Sequence, residues 1–226
     1  GFWVAHAGWY LHTSSTVLSV LYAFAGPARM VFDAFWRPRT GMEHAHLAKD
    51  IERNGFYAWL SRPGPYAVVV LTYFVLVFGT MTWLFGVAVL PILWVVLVSY
   101  YWLGDGVNSL CHRYGKSPFR SRDQSTNLAW LAALSMGEGY HHNHHVFPTS
   151  VRAGLLPGQI DGMYLFCRAL ERVGLASNLR QPTLEQLLDR VEDPDARARL
   201  ERLRDRATGS GGNGGQLAAA GSSARR

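Results

Sequence analysis

From Pro63 to Gly104 the chain carries no Asp, Glu, Lys, Arg or His, a run of roughly 40 residues. At about 20 residues per crossing, that length holds two membrane helices and a tight turn. The pattern places the first helix near Tyr66–Leu84 and the second near Ala88–Leu103, with Phe85-Gly86 at the turn and a kink expected at Pro91. Upstream, Thr13–Met30 is apolar with interspersed Ser and Thr, and is expected to lie at the membrane interface or partly embedded. Pro38–Gly41 reads as a turn. Glu43–Leu60 reads as one amphipathic helix with Leu47, Ile51, Phe56 and Trp59 as its apolar set.

Downstream of the run the pattern changes. Tyr114–Ser125 is a polar, basic loop, and Thr126–Met136 a short helix. Met163–Val173 has helical periodicity, with Gly174 as its stop. Thr183, just after Pro182, is a candidate N-cap for a charged helix over Glu185–Arg206. The Gly-, Ser- and Ala-rich stretch from Thr208 to Arg226 is expected to be a disordered tail. The expected organisation is therefore a domain over 1–182, with a membrane hairpin at about 64–104 and a histidine-rich region at 105–182. A charged helix (183–207) and a tail (208–226) follow. The fold class is mainly α, a multi-pass membrane helical protein.

Charge orients the hairpin. Lys49, Arg53 and Arg62 precede it, Arg113, Lys116, Arg120 and Arg122 follow it, and the turn has no charge. The positive-inside rule puts both ends, and hence the histidine-rich region, in the cytoplasm of an inner-membrane protein. Hydrophobic residues make up 49% of the chain and aromatics 13%, yet mean hydropathy is +0.01, because the apolar run sits between charged segments. The net charge of +6 is dispersed, without a basic patch interleaved with aromatics, which argues against nucleic acid and for anionic lipid or an acidic partner. Cys111 and Cys167 have no metal-binding spacing.

The chemistry concentrates in Tyr140-His141-His142-Asn143-His144-His145. On a helix, His141 and His145 share one face with His144 beside them, an arrangement that suits iron, copper, zinc or nickel. His142 falls outside the His-x-x-His-His count. The bland alternative is a solvated turn that picks up metal adventitiously. Asn108, one helical turn before His112, is expected to point the same way.

Three tracts, Asn108-Ser109-Leu110-Cys111-His112-Arg113-Tyr114-Gly115, Asp123-Gln124-Ser125-Thr126-Asn127 and Gly137 to Pro148, resemble the C-terminal half of the membrane fatty acid desaturases. Within that family the likeness is to bacterial acyl-CoA desaturases of the stearoyl-CoA delta-nine kind. Gly1–Trp9 resembles the stretch after the family's second histidine box, and Asp161–Pro182 resembles its closing helix and strand. The resemblance covers roughly 1–182 and is weakest over 14–42. It implies two iron ions, with His112, His141, His144 and His145 as ligands and Asn108 acting through a water. Asp123 and Glu138 are candidates to hydrogen-bond the far nitrogens of the ligands.

By the same resemblance the activity would be oxygen-dependent desaturation of an acyl-CoA or acyl-lipid. The electron donor would be a separate ferredoxin-, rubredoxin- or cytochrome b5-like protein fed by an NAD(P)H reductase. A related di-iron hydroxylase or alkane monooxygenase, and a catalytically silent paralogue, are the alternatives. Two departures stand out. The family's two upstream histidine boxes do not occur here, and His6, His12, His44 and His46 lack their spacing, so the chain is expected to be a portion of a longer protein. Asp105 stands where many family members carry a bulky aromatic residue lining the acyl tunnel.

Overall fold

The computed structural model describes residues 1–42 and 49–219. Among these residues all regular structure is helical, and extended backbone pairs at two isolated antiparallel bridges, Lys116–Asn127 and Phe119–Val191. The chain divides into two compact units, Gly1–Asp105 and Gly106–Arg226.

In the first unit, α1 (Phe2–His6) and a 3-10 turn (Gly8–Leu11) lead into α2 (Thr16–Ala23). The Ser15 side chain caps α2 by accepting from the Leu18 N–H at 3.3 Å. The next helix, α3 (Pro27–Met42), leaves α2 at a bend of 116°. The apolar stretch over Thr13–Met30 is thus divided between two helices, because Gly26 adopts φ +52° and Pro27 begins a new helix. The turn expected at Pro38–Gly41 is helical instead. Pro38 removes one backbone donor there, but α3 packs against a later helix and the next turns propagate from those already formed.

Of the amphipathic helix expected over 43–60, residues 43–48 lie outside the described residues. The remainder forms α4 (Lys49–Glu52) and α5 (Gly55–Leu60). The break comes from Asn54, whose carboxamide accepts from the N–H groups of Phe56 (3.1 Å) and Tyr57 (3.4 Å) and starts a fresh helix. Phe56 and Trp59 are exposed rather than packed into a core.

The apolar run becomes α6 (Pro63–Phe85) and α7 (Val89–Leu110), both long and apolar enough to cross a membrane. At 23 and 22 residues they span about 33–35 Å each, enough for a hydrocarbon core of about 30 Å. Gly86, at φ +72°, ends α6 in a backbone conformation that side chains disfavour. Pro91 does not kink the second helix. It lies in the first turn of α7, where the missing N–H has no intrahelical acceptor to lose. The most apolar window of α6 has no buried residue within the protein, as expected of a lipid-facing helix.

One buried cluster organises the first unit. Arg29, 1% exposed, places Nη1 2.7 Å and Nη2 3.3 Å from the two oxygens of Asp105. Its Nε lies 3.8 Å from Asp33, which also accepts a hydrogen bond from the Tyr22 hydroxyl. The guanidinium carbon stands 4.6, 4.4 and 4.2 Å from the ring centres of Tyr10, Tyr22 and Tyr101. Asp105 therefore has an arginine as its charge partner.

The second unit contains α8 (Ala129–Leu134), α9 (His141–Val146), α10 (Gly162–Arg172), α11 (Leu184–Arg190) and α12 (Pro194–Ala219). Thr183 and Gln186 form a capping box at the start of α11. The single charged helix expected over 185–206 is two helices. Val191 is extended and bridges to Phe119, while Pro194 opens α12 and Asp193 caps it by accepting from the Ala196 N–H at 2.7 Å. The strand expected before Pro182 does not form; that stretch is irregular and meets Val151 through its N–H donating to the Arg180 carbonyl.

Residues 208–219, expected to be disordered, continue α12, and 220–226 lie outside the described residues. Extending a formed helix needs no new nucleus. Gly209, Gly211, Gly212, Gly214 and Gly215 nevertheless each cost about 1 kcal/mol relative to alanine, which makes this the weakest part of α12. The core of the unit joins Phe119, Val146, Leu156, Leu188, Val191 and Leu200, so α11 and α12 pack on the residue that follows the last histidine.

Removing one member of the buried ion cluster strands the others. Asp105→Ala is expected to cost about 3–5 kcal/mol, seen as a lower unfolding midpoint in detergent. Replacing the whole cluster, Arg29→Met with Asp33→Leu and Asp105→Leu, should recover most of that loss.

Candidate metal centre

The second unit presents its histidines from two short pieces of backbone. Past Leu110 the helix tightens into a turn, closed by the Tyr114 N–H donating to the Leu110 carbonyl at 2.8 Å. Thr126 fastens that turn, its N–H and hydroxyl both donating to the Cys111 carbonyl, at 2.6 and 2.8 Å. His112 consequently lies beyond α7, in the turn, and is not one regular helical turn from Asn108 as the sequence suggested.

The other four histidines, on α9, enter through Gly139. A Cβ at Gly139 would stand 2.2 Å from the backbone nitrogen of Ala132 and 2.7 Å from its Cα, so only glycine fits there. The Gly139 N–H donates to Ser135 Oγ (3.0 Å), and its carbonyl accepts from the Leu128 N–H (2.8 Å). Helix α9 is then held by Asn143, which is fully buried. Its amide donates to the Ala153 carbonyl (2.8 Å) and Gln159 Oε1 (2.9 Å), and its Oδ1 accepts from Asn127 (2.7 Å).

His112, His141 and His145 converge, with their ligand atoms all within 4.8 Å of one another. His141 Nε2 lies 3.2 Å from His112 Nε2 and 3.0 Å from His145 Nε2. His145 Nδ1 lies 2.7 Å from Asp123 Oδ2. An ionised carboxylate only accepts, so the His145 proton resides on Nδ1 and the Nε2 lone pair faces the cluster.

Burial would raise the Asp123 carboxyl, but hydrogen bonds from the Ser125 hydroxyl and N–H, with those involving His145 and Ser121, hold it well below the usual carboxylate range. The His141 imidazole is pushed down to about 4 by burial first, then by the neighbouring His145, His112 and His144. His112 is lowered for the same two kinds of reason, burial and His145.

These donors fit a metal ion. Two nitrogens each about 2.1 Å from one cation stand about 3.0–3.4 Å apart at octahedral to tetrahedral angles, close to the spacings here. A His141 Nε2 can offer at most one proton to its two neighbours, so a cation at the centre relieves lone pairs that hydrogen bonding leaves opposed. The three imidazoles suffice for one ion and leave open positions on it.

The remaining candidates are placed differently. His144 is exposed, with its ring centre 6.2 Å from that of His141 and 6.0 Å from that of His145, outside the converging group. Asn108 is exposed on α7. Glu138 is exposed, and among the described residues no hydrogen bond links its side chain to a histidine. It lies between Gly137 and Gly139, on a turn that directs their backbone, not its side chain, inward.

His142 is 1% exposed, with Nε2 2.9 Å from the Phe119 carbonyl and Nδ1 3.0 Å from the Ser125 hydroxyl. That hydroxyl also reaches Asp123, so His142 ties the Phe119–Ser125 loop to α9. Ser125 and Asn143 are site residues that the histidine motif does not announce. The Asp123-x-Ser125 spacing, which forms a local turn with the Ser125 N–H donating to Asp123 at 2.9 Å, was the available signal for the first.

Asp123→Asn removes the charge that orients His145 and is expected to weaken metal binding 10- to 100-fold, measured by chelator competition. Unchanged affinity would show that this hydrogen bond does not orient the ligand. His142→Ala should lower stability without removing a donor, read as an earlier unfolding midpoint with metal stoichiometry preserved.

No protein-family model matches the chain, and no solved structure matches it. It is 31% identical over 189 residues to an icosanoyl-CoA 5-desaturase of Limnanthes douglasii, covering 82% of this chain and 45% of the relative. It is 31% identical over 189 residues to delta-9 acyl-lipid desaturase 1 of Arabidopsis thaliana, covering 82% of this chain and 52% of the relative. An sn-1 stearoyl-lipid 9-desaturase of Anabaena variabilis is 29% identical over 180 residues, covering 80% and 56%. The chain spans about half the length of the curated relatives it matches. A match over four fifths of the chain necessarily takes in the segment that bears the converging histidines. By sequence, the chain belongs to the fatty acid desaturase family.

Proposed function

We propose that this chain carries part of the catalytic site of a membrane-bound, oxygen-dependent fatty acyl desaturase acting on an acyl-CoA or acyl-lipid. The observation that carries the reading is the convergence of His112, His141 and His145 inside a segment similar to enzymes named as desaturases of both substrate kinds. In balance, a –CH2–CH2– unit of the acyl chain loses two hydrogens to become –CH=CH–, while dioxygen takes up those hydrogens, two electrons and two protons to leave two waters.

Two irons, when bound, supply the reduction of dioxygen that makes removal of an unactivated hydrogen possible. The residues present fit one of them directly, and His144 and Asn108 are the family-matched candidates toward the second. Asp123 keeps the proton of the neutral His145 tautomer on the outer nitrogen, and burial lowers His141 so that it stays neutral, which leaves its lone pair for a metal. The Phe119–Ser125 loop, pinned by His142, holds Asp123 in place.

Beside His145, Arg120, Arg122 and Arg190 line an open pocket of about 470 Å³ whose one acidic residue is Asp189. That charge balance suits an acidic ferredoxin-, rubredoxin- or cytochrome b5-like donor, fed by a separate NAD(P)H reductase. The basic residues flanking the membrane helices support placing the cluster on the cytoplasmic side of the inner membrane.

Expression of the full-length protein in a host lacking its own desaturase, followed by mass spectrometry of its acyl chains, tests the reading. A new double bond is expected, lost in His141→Ala and kept in Cys167→Ser. An alcohol in place of the double bond would assign a hydroxylase, and membranes with neither product nor bound iron would assign a silent scaffold. His144→Ala is expected to halve the iron content and abolish the product.

A further inference from the structure

Helix α2 and the first part of α3, over Pro27–Trp36, meet at 116°, so the chain turns back on itself at Phe24–Gly26. At about 1.5 Å per residue α2 is about 12 Å long and α3 about 24 Å, of which Pro27–Trp36 is about 15 Å, and neither crosses a core of about 30 Å. Their bend touches α7. A Cβ on Gly26 would stand 3.2 Å from the Trp94 ring, and Trp102 Nε1 donates to the Ala23 carbonyl at 3.0 Å. Trp94 lies about 16 Å along α7 from Asp105, toward the Gly86 turn. The bend is therefore alongside the apolar part of a membrane helix.

Two further observations fit hydrocarbon surroundings. Between Thr13 and Trp36 the charged residues are Arg29 and Asp33, both buried and gathered with Asp105 on the inner side. The outer side shows Val17 (68% exposed), Leu21 (63%), Phe32 (42%) and Phe35 (58%). The backbone at the bend is provided for: Phe24 N–H donates to Val20, Ala25 N–H to Tyr22, and Trp102 serves the free carbonyl of Ala23.

We propose that α2 and α3 form a re-entrant hairpin, which dips into the bilayer beside α7 and returns to the side it entered without crossing. Its partner is the hydrocarbon of the lipid bilayer, met by Val17, Leu21, Phe32 and Phe35. The ion cluster of Arg29, Asp33 and Asp105 closes its inner face, so the hairpin's own two charges, Arg29 and Asp33, turn away from lipid. The inference rests on α6 and α7 as spans and is independent of the enzymatic reading.

The test uses the protein in membranes, with Cys111 and Cys167 replaced by serine and single cysteines added at exposed positions. Spin labels at Leu21→Cys and Phe35→Cys are expected to collide with oxygen several-fold more than with a water-soluble nickel chelate. Val17→Cys and Phe32→Cys give a second pair should the first disturb folding. A membrane-impermeant maleimide should reach Thr13→Cys and Arg53→Cys from one face and Val87→Cys, 74% exposed in the turn, from the other. Higher nickel than oxygen access at the outer positions would overturn the proposal in favour of a water-exposed surface. Labelling of Thr13→Cys and Arg53→Cys from opposite faces would overturn it in favour of a third span.

Discussion

The centre of this molecule depends on one hydrogen bond, from His145 Nδ1 to Asp123. Imidazole has two nitrogens and, when neutral, one proton, and a ligand is made by deciding where that proton stays. Asp123 decides it for His145, and Ser125 and Ser121 keep Asp123 charged so that it can. From that point the geometry is forced: a lone pair at His145 Nε2 faces His141, which faces His112, at distances suited to a shared cation. The loop, the glycine entry and the buried Asn143 serve to hold this arrangement against thermal disorder.

Charge is handled by opposite means in the two units. In the first, a cation and two anions are sealed together under tyrosine rings, at a desolvation cost offset only by close pairing. In the second, like groups gather beside Asp123, and burial lowers His141 and His112 so that these two stay neutral. The first is a closed arrangement, and the second is one that calls for a cation.

Much of the fold was legible where the signal was local. The run from Pro63 to Gly104 can satisfy its backbone in lipid only as helices, and Gly86 marked the turn. Thr183 stood at the position of a helix cap and is one. The His141–His145 pair followed from helical spacing alone. What escaped were breaks and contacts set by partners distant in sequence. Val191 leaves the helix to meet Phe119, and Asp105 finds Arg29 across 76 residues. His144 and His145 look equivalent in a motif, yet adjacent residues on a helix point about 100° apart, and only one of them reaches the cluster.

His142 has a consequence for how such a centre is assembled. Four imidazoles within five residues, in an unfolded or newly made chain, form a promiscuous chelator with several competing registers. Folding removes one of them from circulation by engaging both of its nitrogens, at Phe119 and Ser125. Only the folded chain then offers a single tridentate arrangement, so the selection of metal begins after the loop has closed. Ions captured earlier would sit in the wrong register and oppose that closure. A metal held by this cluster would therefore find its register after the loop has closed on His142.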